Sequence, residues 1–295
     1  MIVARMDGGL GNQMFQYALA SILAQKNNAT VRLDMNFFDQ TEKRLGHTPR
    51  NFELTIFNNF YTPAATTDIL FFKQLSVFSK VKRDLGFNYP KMYQESSFSY
   101  DEKVMTTRTP VYLSGFFQSY KYFIGYENLI RKLFAFPVET LDEVNKKVIA
   151  NIKSTNAIAI HIRRGDYVTD ATTKQYHGNC SVDYYFKAIS LLAERNKDFT
   201  LFFFSDDNNW VKEQFENLPY SKQFINHNNG GNSWKDMFLM SSCNHNIIAN
   251  SSFSWWAAWL NANPEKRVIA PKKWFEKSEE QMNTKDLIPP EWMRL

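Results

Sequence analysis

Two cysteines in 295 residues, Cys180 and Cys243, are too few for a disulfide framework and match no zinc spacing. A reducing compartment is the simpler expectation. No run of 18 apolar residues occurs, so no membrane-spanning helix is predicted. Met1 leads straight into an apolar MIVA and then DGGLGNQ, a start that fits no signal peptide, and a cytosolic protein is expected. Charge of one sign is also scarce. The 35 Lys and Arg exceed the 30 Asp and Glu only enough for a net +5, without the dense basic stripe of a nucleic-acid binder. Such a balance suits an anionic small ligand or loose peripheral contact with an acidic membrane face, the alternative being solubility alone. Neither internal repeats nor low-complexity segments are present. The G-x-G-x-x-G dinucleotide pattern is missing, as is any paired-histidine metal motif.

What is present is apolar. Hydrophobic residues make up 44% of the chain, and 26 Phe, 14 Tyr and 7 Trp bring the aromatics to 16%, which excludes a disordered chain and allows two domains of ordinary size.

The chain opens as a βαβ unit. Ile2 to Met6 reads as a strand, GGLG as a glycine turn, and Asn12 as the N-cap of a helix running to about Lys26, with a second strand at Val31 to Met35. The turn's amides and the helix N-terminus could face an anion; a tight turn needing positive φ is the alternative. From Phe37 to about Tyr100 irregular helices and loops are expected, forming an acceptor groove. VYLSGFF, Val111 to Phe117, reads as a strand and Gly125 to Phe134 as a helix. Phe136-Pro137 marks the boundary between a domain at 1–137 and one at 138–295, the last ~15 residues packing back on the first.

The second half alternates regularly. Strands are predicted at Ala157–Ile162, Phe199–Ser205, Phe224–Ile225, Asn246–Ala249 and Arg267–Ala270. Helices are predicted at Thr140–Ile152, Val182–Glu194, Asp207–Glu216, Ser233–Ser242 and Phe253–Leu260. Strand–helix repeats of this length imply a parallel, doubly wound sheet.

Four predicted strands end in polar residues: HIRRGDY at His161 to Tyr167, Ser205-Asp206-Asp207, Asn250-Ser251-Ser252, and more weakly Pro271-Lys272. In a parallel sheet these ends share one edge, where ligands bind. The guanidiniums of Arg163 and Arg164 suit phosphate, because they stay charged and bind it bidentately. Capping is the competing role for Asp207, Ser251 and Ser252. Trp255 and Trp256 are expected in the core. Asp236, among Trp234, Met237, Phe238 and Leu239, needs a partner: a guanine edge or a lysine. No metal site suggests itself, because the lone Asp206-Asp207 pair lacks metal-binding spacing and capping accounts for it. His47, His177, His227 and His245 are assigned no chemistry.

GGLGNQMFQYA at 8–18, GFFQSYKYF at 115–123, HIRRGDYV at 161–168, FSDD at 204–207 and NSSFSWWAAWL at 250–260 together resemble the α-1,2-fucosyltransferases of glycosyltransferase family eleven. The motifs span nearly the whole chain. The resemblance reaches more loosely to α-1,6- and protein O-fucosyltransferases through H-x-R and G-x-x-G-N-Q. It implies an α/β, GT-B-like fold: two Rossmann-type domains facing each other across a cleft, the second binding GDP-β-L-fucose and the first most of a β-galactoside acceptor. Fucose would pass with inversion to the 2-hydroxyl of the galactoside, with no cofactor and no required metal. The resemblance implies that Arg163 grips the β-phosphate, His161 and Asp236 sit at the guanine or ribose, and Ser251 and Ser252 contact the phosphates. Gly11 and Asn12, from GNQ, would serve the donor, Asn12 reaching the fucose or phosphate. The chain departs from the family pattern at Tyr120, where an acidic residue is expected in many relatives. No N-terminal anchor like that of animal Golgi relatives is expected; the chain resembles the soluble bacterial branch, expected to be cytoplasmic or peripheral to the inner membrane.

An inverting displacement needs a hydroxyl activated on the face opposite the leaving group. Asp166 is the foremost candidate base, with Asp170 and Asp7 as further candidates; a brace for Arg163 or Arg164 is the other role open to Asp166. Two other functions compete: GDP-fucose transfer to a different linkage, and nucleotide or RNA binding without catalysis. Against the latter, the aromatics follow apolar strand and helix patterns rather than interleaving with Lys and Arg.

Overall fold

The computed structural model describes residues 1–39, 50–57, 61–73, 81, 90–165, 178–194, 198–276 and 282–295. Asp166, Asp170, His47 and His177 lie outside them. The described chain forms two α/β units. The first extends to Ala135 and takes in Met282–Ile288; the second begins at Phe136 and takes in Pro289–Leu295.

The first unit holds β1 (Ile2–Arg5), α1 (Leu10–Asn27), β2 (Val31–Asp34), β3 (Thr62–Pro63), α2 (Thr66–Lys73), β4 (Lys91–Gln94), α3 (Glu102–Met105), β5 (Val111–Ser114) and α4 (Glu127–Leu133). Its strands form one parallel sheet in the order β3-β2-β1-β5-β4. The order reverses between β1 and β5, which makes the space beyond their carboxyl ends this sheet's switch point. Helix α1 buries residues on every face, from Leu10 and Met14 to Phe15, Leu19 and Ile22. A helix apolar on all sides is one that is buried on all sides.

Three expectations are corrected here. The helix begins at Leu10 with Gly9 as its N-cap, so Asn12 lies inside the first turn and is not the cap. The fifth strand stops at Ser114, because Phe117 turns the chain with a φ of 55°. Two strands, β3 and β4, occupy the stretch expected to hold only helices and loops. Strand β3 is two residues long and β4 shows mostly exposed side chains, so neither carries the apolar pattern that marks a strand.

The second unit holds α5 (Glu143–Ser154), β6 (Ala157–Ile162), α6 (Val182–Ala193), β7 (Thr200–Ser205), α7 (Asn208–Phe215), β8 (Ser221–Ile225), α8 (Ser233–Ser241), β9 (His245–Ile247), α9 (Ser252–Leu260), β10 (Val268–Ala270) and β11 (Met293–Arg294). The sheet order is β11-β10-β9-β6-β7-β8, all parallel, and the order reverses between β6 and β9. Its core joins Ile158, Ile160, Ile162, Leu201, Phe203, Ile247 and Ile269 to Tyr185, Ala188 and Ile189 of α6. Fully burying each such large side chain contributes roughly 1.5–3 kcal/mol. Trp255 and Trp256 are fully buried, as expected. Strand β11 has no counterpart in the sequence reading; its two residues complete the edge by pairing with Ile269 and Ala270, and Lys272 donates its backbone N–H to Leu295. The two halves thus carry the two parallel α/β sheets of a GT-B-like fold.

Candidate active site

Strand β6 is the first strand of the second sheet and lies at its centre. The register pairs His161 with Phe204 and Ile162 with Ser205, so the residues after each strand emerge side by side. Arg163 Nη1 meets Asp206 Oδ2 at 2.6 Å, and the backbone N–H of Arg164 donates to Asp206 Oδ1 at 2.8 Å. One carboxylate therefore holds both the guanidinium and the turn that presents it. Asp207 does cap α7, accepting from the N–H of Trp210, and it also takes Arg164 Nε at 3.1 Å. The Arg164 guanidinium lies over the Trp210 ring at 3.7 Å. The Arg164 guanidinium is thus held against α7. Capping accounts for only one of the two aspartates: Asp206 is the brace of Arg163.

On the other side of the switch point, the chain beyond β9 runs Asn250-Ser251-Ser252. Asn250 is buried and donates to the carbonyls of Gly178 and Trp274. Ser251 occupies the N-cap of α9 but its hydroxyl makes no capping bond, contrary to the capping role open to it. Ser252 is the first residue of that helix. One residue on, Phe253 brings its ring to 5.7 Å from the imidazole of His161, so the HIRR and NSSF segments are neighbours.

His161 is buried. Desolvation lowers its imidazole to about 4, opposed by Asp206 and assisted by Arg163, so it is neutral at pH 7. Its Nδ1 is buried with no hydrogen-bond partner, and so are Asn179 Oδ1 and Asn208 Oδ1. His161 is near the end of β6, Asn179 precedes α6 and Asn208 opens α7, so all three residues lie toward the carboxyl edge of this sheet. A buried polar atom left unpaired costs about 1–3 kcal/mol, a cost that a polar ligand at this edge would relieve.

Asp236, in α8, takes Asn228 Nδ2 at 2.7 Å, and Asn228 in turn exchanges hydrogen bonds with Asn145. Lys235 goes to Asp142, the N-cap of α5, so the lysine partner considered for Asp236 is an asparagine amide instead. Burial raises the Asp236 carboxyl to about 7, against the Asn228 bond. His227 and His245 have structural partners in Asn145 Oδ1 and the N–H of Arg267. Among the described residues no three His, Cys, Asp or Glu side chains cluster as a metal site would require, and no helix is long and apolar enough to cross a membrane.

In the first unit, Gly8 takes a φ of 76°, so the turn does need one left-handed glycine. A Cβ there would lie 2.4 Å from Asn12 Nδ2. Asn12 Oδ1 accepts from Gln118 Nε2 at 2.8 Å, linking the turn after β1 to the loop after β5 across this sheet's switch point. Gly11 follows Leu10 in the first turn of α1. Asp7 accepts from Arg5 Nη2 at 3.3 Å, and its N–H donates to Gln16.

The family model described as glycosyl transferase family 11 matches residues 1–295. The chain belongs to glycosyl transferase family 11. It is 34% identical over 302 residues to an alpha-1,2-colitosyltransferase of Escherichia coli, covering all of this chain and 99% of that one. It is likewise 34% identical to the O-antigen biosynthesis glycosyltransferase WbnK of Escherichia coli, over 95% and 97% of the two chains. A galactoside 2-alpha-L-fucosyltransferase of Caenorhabditis elegans is 29% identical over 61% of this chain and 51% of its own. Among solved structures, POFUT1 in complex with GDP-fucose superposes with a TM-score of 0.50 at 12% identity, covering 91% of this chain and 97% of that one. The likeness in fold therefore persists where sequence likeness has gone. As a family 11 member the chain is a glycosyltransferase, which sets aside the reading as a non-catalytic binding protein.

Proposed function

We propose that this family 11 glycosyltransferase moves L-fucose from GDP-β-L-fucose, with inversion, to the 2-hydroxyl of a terminal β-galactoside. The observation that carries the donor half is the braced guanidinium of Arg163 beside a buried His161 whose Nδ1 has no hydrogen-bond partner, at the switch point of the second sheet. A cation fixed there in advance meets the charge that develops on a departing diphosphate without reorganising, which is where electrostatic catalysis is strongest. Arg163 takes the β-phosphate, and Ser251 and Ser252 at the N-terminus of α9 offer a hydroxyl and helix amides to the phosphates. His161 and Asp236 serve the guanine and ribose; a guanine edge presents adjacent N–H donors to a carboxylate. Diphosphate charge met by arginine in this way needs no metal. The acceptor hydroxyl loses its proton to Asp166, Asp170 or Asp7, or to a diphosphate oxygen. Gly11 and Asn12 contribute to the donor from the turn after β1.

Colitose is fucose without its 3-hydroxyl, and the 34% identity to a colitosyltransferase supports a second reading in which the donor is GDP-colitose. One experiment separates the two. The protein is incubated with each GDP-sugar and a panel of galactosides, and product linkage is determined. Fucose on O2 of galactose is expected; exclusive use of GDP-colitose, or another linkage, overturns the reading. GDP should raise the melting temperature and ATP at equal concentration should not. Equal protection by both would remove the guanine assignment.

A further inference from the structure

Glu95 is the first residue past β4, and its N–H bonds the carbonyl of Ser114 at the end of β5. Its carboxylate reaches sideways over the loop that follows β5. Oε2 accepts from the N–H of Phe116 at 2.6 Å and Oε1 from that of Phe117 at 2.9 Å, so one carboxylate chelates two successive amides. The approach is close enough to need the glycine at 115: a Cβ there would lie 2.4 Å from Glu95 Cβ and 2.7 Å from Oε2. Phe117 is held in the left-handed region at φ 55°, which a bulky residue keeps only where its surroundings over-determine it. Here they do. The ring is buried against Tyr93 and Tyr122, and the amide is clamped by Glu95. The turn at Phe117 delivers the next residue, Gln118, to Asn12. Gln118 is buried and donates to Asn12 Oδ1 at 2.8 Å, which decides which way round the Asn12 amide sits. A second strut runs beside it, from Gln16 Nε2 to the carbonyl of Gly115 at 3.2 Å, and its Oε1 receives the N–H of Asp7.

We infer that Glu95 is a positioning residue for Asn12: its carboxylate clamps the Gly115–Phe117 loop, the loop sets Gln118, and Gln118 orients the Asn12 amide. The inference rests on the reading of Asn12 as a donor-contacting residue. It adds a residue, distant in sequence and outside every motif considered above, on which that contact depends. Burial raises the Glu95 carboxyl to about 7, against the pull of its two amide bonds. The titratable groups facing it are Tyr93 on β4 and Tyr122 after β5, both pushed upward chiefly by burial and therefore neutral near pH 7. Asp101, bonded to Tyr93 OH, is held below the ordinary carboxylate range. Glu95 is thus the group here that changes charge near neutrality. Protonation turns one of its two acceptors into a hydroxyl, and the clamp loosens as pH falls.

The test uses Glu95→Gln, which keeps the shape but replaces one acceptor with a donor facing an amide. In the unliganded protein, the side-chain NH2 signal of Asn12, identified by its loss in Asn12→Ala, should shift in Glu95→Gln. Gln118→Met, which cuts the same link downstream and leaves the clamp intact, should shift it likewise. With GDP-fucose and a galactoside, Glu95→Gln should lose about 10–100-fold in kcat/KM. The double variant with Asn12→Ala should be no slower than Asn12→Ala alone, and the acid limb near pH 7 should vanish. An unmoved Asn12 signal in both variants overturns the inference whether or not any sugar is transferred. So does a fully additive double variant. Shifts in both variants, with wild-type protein that transfers no fucose, defeat the proposed reaction and leave the inference standing.

Discussion

Replacing Asp206 by asparagine isolates what the brace does for Arg163. The variant keeps an oxygen for the Arg164 N–H and removes the negative charge 2.6 Å from Arg163 Nη1. Both side chains are about a quarter exposed, at 23% and 27%, so water screens the pair only in part. A charge-assisted hydrogen bond of this kind contributes roughly 1.5–3 kcal/mol. At 1.36 kcal/mol per tenfold, losing that much from the presentation of Arg163 in the transition state lowers kcat/KM by about 10–150-fold. The fold should survive, with a melting temperature within about 4 °C of wild type, because the backbone contact remains. Arg163→Ala, which removes the group itself, should lose about 10²–10³-fold. If Asp206 acts through Arg163, the double variant is no slower than Arg163→Ala. Initial rates over a range of GDP-fucose concentrations, with GDP affinity measured by calorimetry, decide the matter. The reasoning fails if Asp206→Asn keeps wild-type kcat/KM or binds GDP more tightly. Unchanged kcat/KM would mean that the carboxylate is no brace, and tighter GDP binding would make it a competitor for the guanidinium.

Three further outcomes are expected. Asp166→Asn should lower kcat and change its pH dependence; an unchanged rate and pH profile would move the base to Asp170, Asp7 or the diphosphate. Asp236→Asn should change how stability depends on pH. The folded carboxyl binds its proton more tightly than the unfolded one, at about 7 against an ordinary 3.8, so its contribution is fully present below about pH 4 and declines as pH rises to 7. The variant should gain on wild type in melting temperature between about pH 4 and pH 7, and a constant gap would show that the carboxyl is not raised. Dialysis against EDTA should leave transfer intact, and activity lost and then restored by Mg²⁺ would refute the metal-free reading.

In the second sheet β6, β7 and β10 were legible almost to the residue because each is a short apolar run, whereas β8 and β9 were found with other bounds. The burial of AIAIHI and TLFFFS follows from composition alone. Helix α1 was legible in extent but not at its start. Asn12 is a good capping residue by type, yet Gly9 takes the cap and the Asn12 side chain is bonded to a residue 106 positions away. Strands β3, β4 and β11 escaped notice because edge strands of two to four residues need no apolar alternation; they are held by backbone pairing to a neighbour already in place.

The same division runs through the site. Apolar periodicity and the residues that follow it determined that this chain has parallel α/β architecture and that Arg163, Asp206 and Ser251 lie at strand ends, since those are properties of neighbouring residues. Which of the aspartates braces Arg163, and that Glu95 rather than any motif residue clamps the loop leading to Asn12, were decided only by tertiary structure. Asp206 is 43 residues from Arg163, and Glu95 is 21 from Phe116. Their contacts exist because parallel pairing places His161 opposite Phe204 and Gln94 opposite Ser114. Register is set by the sum of backbone bonds and core packing along whole strands, so the partners it brings together leave no local trace in the sequence.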